Sequence, residues 1–211
     1  MSQAATMPIE ERAPEPGLGI YNLKLGIWIF LLSEVMFFTA LIGSYVILRF
    51  AHPDHFAAPG EVLNVPLTAV NTFILICSSV TMVKAYAAIE KDDQKGLKQW
   101  LLATIVLGST FVGVQVYEYI HLVNDGFVPD AQAYVESGLA GGPLYSSTFY
   151  LMTGFHGVHV ALGVGALIFI LIKAMRGAYS SQRLGGVEGV GLYWHFVDLV
   201  WIVLFTIVYL I

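Results

Sequence analysis

Five apolar stretches, each nearly free of charge, limit what this chain can become. They run from Leu25 to Leu48, Leu67 to Ala88, Trp100 to Ile120, Ser147 to Ile172 and Leu192 to Ile211. At about 1.5 Å per residue, each stretch as a helix crosses the ~30 Å hydrocarbon core of a bilayer. In lipid the backbone must satisfy its own hydrogen bonds, so helix is the form expected of them. Charged residues make up 12% of the chain, against about 25% in a soluble domain. The expected fold is all-α: a polytopic membrane bundle of five transmembrane helices over residues 23–211, behind a polar tail over 1–22.

The tail carries Pro8, Pro14, Pro16 and the acidic Glu10, Glu11 and Glu15, and it lacks the apolar core of a signal peptide. It is expected to be disordered or loosely docked. The segments between spans are rich in turn formers, as in His52-Pro53-Asp54 to Pro66 and Gly141-Gly142-Pro143. Basic residues are divided unequally. Arg12, Lys24, Lys84, Lys91, Lys95, Lys98, Lys173, Arg176 and Arg183 fall on one side of the membrane and Arg49 alone on the other. The positive-inside rule then puts the N-terminus in the cytoplasm and the C-terminus outside. No basic patch suits nucleic acid. Cys77, the single cysteine, lies in an apolar run and reads as a small core residue. In the fourth span Thr153, Gly157, Ala161 and Gly165 recur every four residues, a small-residue stripe that permits close helix approach.

The chemistry lies in a few polar residues inside these spans. His195 and Asp198 share a helix face between Trp194 and Trp201. Asp198 stands one to two turns from the cytoplasmic end of the last span. Glu34 is about 15 Å deep in the first span, and His159 about 20 Å deep in the fourth, with His156 one turn away. A cluster of Glu34, His156 or His159 and Asp198 is geometrically possible. It reads either as a hydrogen-bonded packing cluster or as a proton-handling site. Glu118 and His121 form one Glu-x-x-His unit, whereas a di-iron bundle needs two. Glu118 therefore reads as an interfacial anchor beside Tyr117 and Tyr119. His156 and His159 are too close along the helix to ligate two stacked haems. By these residues alone the chain is a five-helix membrane module without an evident catalytic centre. A stand-alone proton conductor is the alternative from another class.

Several strings resemble one family in its own order. Tyr193-Trp194-His195-Phe196-Val197-Asp198, followed by Val200-Trp201, closely resembles the last-helix motif of subunit III of the haem-copper oxidases, the cytochrome c oxidase subunit 3 family. Ser33-Glu34-Val35 with Phe37-Phe38 is similar to its glutamate-bearing helix. Asn71-Thr72 with Ser78-Ser79, Leu107-Gly108 with Gln115 and Glu118-Tyr119, and Thr153-Gly154-Phe155-His156-Gly157 with His159-Val160 resemble the helices between. The resemblance covers about residues 20–211 and points to the five-helix bacterial form.

The resemblance implies a non-catalytic subunit of a bacterial respiratory terminal oxidase. It would be multi-pass in the plasma membrane and would stabilise subunit I and support its proton uptake. It implies no metal and no cofactor in this chain, haem and copper in partner subunits, and bound phospholipid. Subunit I is the main implied partner, with subunit II and a small subunit IV beyond it. Glu34 matches the family's proton-uptake and carbodiimide-labelled glutamate. His156, His159, His195, Asp198 and Glu118 are given structural or lipid-site roles only. A bo-type ubiquinol oxidase or a protein associated with nitric oxide reductase is the alternative within the family. Many members carry two further helices before the glutamate helix, where this chain has its polar tail.

Overall fold

Apolar length makes the helices, and polar side chains start them. The computed structural model describes residues 22–211, so the expectation for the tail lies outside the described residues. The elements are α1 (Asn22–Ala51), α2 (Val65–Glu90), α3 (Gln94–Asn124), the short α4 (Ala131–Ser137), α5 (Pro143–Met175) and α6 (Gly185–Phe205). The five long helices are each long and apolar enough to cross a membrane. Asn64 caps α2 by accepting from the Leu67 N–H, and Asp93 caps α3 by accepting from Gly96. Each supplies an acceptor to a first-turn amide that lacks one. Pro143 opens α5, where its missing N–H costs nothing.

Every span starts before its apolar stretch, and all but the last also run past its end, because the helical ladder continues beyond the hydrophobic residues into polar ends. The largest difference is at α6, which starts at Gly185 rather than Leu192. Gly185-Gly186 reads as a turn, but two α6 glycines serve packing instead. A Cβ on Gly189 would lie 2.4 Å from Ile27, and one on Gly186 would lie 2.9 Å from the Tyr179 hydroxyl.

The topology follows from which faces pair. α2 and α3 form a tight antiparallel hairpin, α5 packs on α3, and α6 packs against both α2 and α5. α1 is held mainly by α6, to which it runs parallel. Lys24 pairs with Glu188 at one end of the two helices, and Arg49 donates to the Ile211 carbonyl at the other. α1 is also the least covered span, with Ile29, Leu32, Met36 and Phe50 exposed.

The small-residue stripe on α5 does only part of what its spacing predicts. Thr153 is buried and Gly157 sits against Gln115, but Ala161 and Gly165 are exposed. The close approach is made elsewhere. Gly108 of α3 and Gly163 of α5 form a recess for the Trp194 indole, where added Cβ atoms would come within 2.5 and 2.9 Å of the ring. At the base of that recess Trp194 donates to Ser78 Oγ.

At the end opposite the lysines, aromatic rings close the bundle. Phe127, Tyr145 and Phe149 pack edge to face under α4. There α6 widens into a π-helical turn, Thr206–Leu210. The extra residue in that turn aims Tyr209 inward, and its side chain is buried.

At the lysine-bearing end the α2–α3 turn is clipped to the α5–α6 loop. Asp92, in the left-handed region at φ 55°, accepts from the Ser181 backbone N–H and hydroxyl. These two bonds hold its carboxyl below the usual carboxylate range.

Candidate functional site

The polar residues singled out by the sequence separate into three sites and one isolated ring. The first site joins α1 to α5. Glu34 Oε2 lies 3.0 Å from His159 Nε2, with side-chain exposures of 17% and 15%. The other ring nitrogen, Nδ1, lies 2.7 Å from the Phe155 carbonyl. A carbonyl only accepts, so Nδ1 carries a hydrogen. The contact between Nε2 and Glu34 therefore holds one proton, on the imidazole or on the carboxyl. Phe38 meets the His159 ring edge-on at 5.2 Å, and Tyr193 donates to the His159 carbonyl. The pair is thus fixed in orientation and sits near the outer face of α1.

His156, one turn away on α5, has none of this. It is 1% exposed, and neither ring nitrogen has a hydrogen-bond partner among the described residues. Trp201 stacks on the ring at 4.8 Å, while Phe111 and Phe38 meet it edge-on. It does not join Glu34.

The second site lies between α2 and α6. His195 Nδ1 is 2.6 Å from Ser79 Oγ, and Asp198 follows one turn along α6. His195 and Asp198 are neighbours as the spacing predicts, but the hydrogen bond of His195 goes to Ser79. Asp198 Oδ1 is buried without a hydrogen-bond partner among the described residues. Because α6 begins at Gly185, Asp198 is about 20 Å along it rather than one to two turns in. The single cluster of Glu34, a histidine and Asp198 therefore resolves into two separate pairs, Glu34 with His159 and Ser79 with His195.

The third site holds Glu118, and here the interfacial reading is corrected. Glu118 is 5% exposed and points into the bundle. Thr68 donates to Oε1 at 2.9 Å and Tyr209 to Oε2 at 3.1 Å. Of its neighbours, Tyr117 does face outward, whereas Tyr119 is hydrogen-bonded to Thr153. Helical phase decides this, since Glu118 is one turn from the buried Gln115 and Leu122. Tyr209 carries no sequence signal, because its direction depends on the π-helical turn. Among the described residues no three of His, Cys, Asp and Glu converge as a metal would require.

Comparison with known proteins gives the chain a family. The family model described as cytochrome c oxidase subunit III matches residues 19–211. A cytochrome c oxidase subunit 3 of Thermostichus vulcanus is 34% identical over 211 residues, covering 100% of this chain and 96% of the relative. One of Synechocystis sp. is 40% identical over 187 residues, 88% of this chain and 74% of the relative. A probable quinol oxidase subunit 3 of Staphylococcus haemolyticus is 35% identical over 190 residues, 89% and 88%. With its five apolar helices and a match that runs through all of them, the chain belongs to the cytochrome c oxidase subunit III family.

Proposed function

We propose that the chain serves as subunit III of a bacterial respiratory terminal oxidase of the cytochrome c branch, in the plasma membrane with its lysine-bearing end in the cytoplasm. It stabilises subunit I and supports proton uptake there, and it has no catalytic centre of its own. Haem and copper belong to partner subunits, and subunits I and II and a small subunit IV are the expected neighbours. Phospholipid covers part of its apolar surface. The observation that carries the reading is the Glu34–His159 contact. It holds a proton by hydrogen-bond logic, sits on the least covered helix, and lies about 18 Å from the lysine-bearing end of α1.

The test is Glu34→Gln in the assembled oxidase. Assembly and initial oxygen reduction stay near wild type, while proton uptake during sustained turnover slows. Immediate and complete loss of turnover would overturn the assignment. If the chain purifies from its native membrane without a haem-containing partner, the oxidase reading fails and a stand-alone proton conductor takes its place.

A quinol donor is the second reading. It is favoured by the Staphylococcus relatives named as probable quinol oxidase subunits, whose identities of 35% and 36% match those of the cytochrome c relatives. Oxidation of reduced cytochrome c against oxidation of a quinol by the purified complex separates the two.

A further inference from the structure

We propose that Asp198, Ser79 and His195 form a proton-exchange site that opens to the lysine-bearing end of the bundle through a groove between α2 and α6. The groove encloses about 240 Å³; Met82, Val83 and Tyr86 line one wall, and Glu188, Leu192 and His195 line the other. Glu188, ion-paired with Lys24, stands at its mouth. His195 stands at its inner end. The imidazole Nδ1 is engaged with Ser79, and Nε2 makes no hydrogen bond among the described residues. Asp198, one turn along α6 from His195, is 7% exposed, with Oδ1 buried and without a partner among the described residues.

Two facts make this a site rather than a packing detail. An ionised carboxyl with a bare buried oxygen is costly in an apolar bundle, so it needs access to a proton. The elements between it and the groove are the ones that pass protons. A hydroxyl accepts on one side while donating on the other, and an imidazole takes a proton on one nitrogen as it releases one from the other. Water in the groove gives a proton to Nε2, Nδ1 gives its own to Ser79 Oγ, and the serine hydroxyl, turned toward Asp198, passes its hydrogen to the carboxylate. The net change is one proton moved from groove water to the carboxylate. Serine rotation and imidazole tautomer exchange reset the chain.

The titratable groups facing the site are few. α6 supplies His195, Asp198 and Glu188. α2 supplies Tyr86, with Glu90 beside it, and α1 supplies Lys24 at the mouth. Among the described residues α3 and α5 present none to it. The site shares no hydrogen bond with Glu34 and His159, so it stands or falls independently of their role.

The experiment is hydrogen–deuterium exchange followed by infrared difference spectroscopy on the assembled complex. Subtracting Asp198→Asn from wild type isolates the carboxyl. The expected result is an exchangeable protonated-carboxyl band that titrates with pH. Its exchange is slowed roughly tenfold by Leu192→Trp, which fills the groove, and by Ser79→Ala, which breaks the relay. Val83→Trp fills the groove from its lipid-facing wall and carries the same test if Leu192→Trp fails to assemble. Wild-type exchange rates in a filled-groove variant or in Ser79→Ala, or no exchangeable Asp198 band at any pH where the complex is intact, overturns the proposal.

Discussion

His156 and His159 stand one turn apart on α5 and occupy opposite chemical settings. His159 lies toward the rim, with one nitrogen on a backbone carbonyl and the other on Glu34. His156 is fully enclosed by Trp201, Phe111 and Phe38, with both nitrogens unpartnered among the described residues. In a soluble protein the deeper polar residue is usually the better bonded. Here the pocket around His156 is aromatic, while buried hydrogen bonds elsewhere in the bundle, such as those of Glu118 and Trp194, join specific helix pairs. The imidazole of His156 packs as a flat ring, whereas that of His159 is hydrogen-bonded at both nitrogens.

Five substitutions or titrations test that contrast and the settings around it. The largest effect belongs to Trp201→Ala. It removes the ring stacked on His156 and the indole N–H donated to Thr72, and large-to-small changes at such sites cost about 3–5 kcal/mol. Thermal unfolding of the complex and retention of the subunit should both fall. Next comes His159→Leu, which leaves Glu34 without its partner in a largely buried setting, at roughly 1–3 kcal/mol. The companion variant His156→Phe removes no hydrogen bond and should change stability by less than about 1 kcal/mol. If His156→Phe proves as damaging as His159→Leu by thermal unfolding, the ring nitrogens of His156 have a partner and the contrast collapses.

Tyr209→Phe takes one of two donors from Glu118 and should cost about 1 kcal/mol in the same assay. A change near zero would mean that the π-helical turn is held by packing alone. The smallest effect concerns Asp92, whose folded carboxyl titrates below its ordinary range. Stability from its bonds to Ser181 is present above the unfolded value and is lost as pH falls through the lowered folded value. Below about pH 4 the wild type should lose a small increment of loop stability that Asp92→Asn lacks at every pH. Thermal unfolding across acid pH reads the difference.

The five spans were legible because bilayer thickness imposes a length that charge-free runs reveal. Their ends were not, because a helix continues through Gly185 and Gly186 once Tyr179 needs the room a side chain would fill. Glu34 and His159 were legible as residues, and their separation from Asp198 was not. Rise per residue gives depth only once the helix start is known, as Asp198 shows, and azimuth depends on which faces pack. Glu118 was misplaced for the same reason, since hydropathy marks a span and not which side of it turns inward. Gly163 and Gly108 were visible as glycines, yet only the Trp194 indole explains them. Ser79 was one of several hydroxyls in α2, with nothing in the spacing to join it to His195 across 116 residues.

The pairing of α1 with α6 has a consequence for how the protein is made. Lys24 and Glu188 are 164 residues apart, and α1 has little contact with α2 or α3. At about 5–20 residues per second, ribosomal synthesis separates them by on the order of ten seconds or more. Until α5 is made the first helix has almost no partner in its own chain, and its main partner, α6, comes last. It must wait in lipid, beside the insertion machinery or against another subunit until the last helix arrives. Biogenesis of the bundle therefore ends where the chain began, and a factor that holds α1 during synthesis would act before any other contact can.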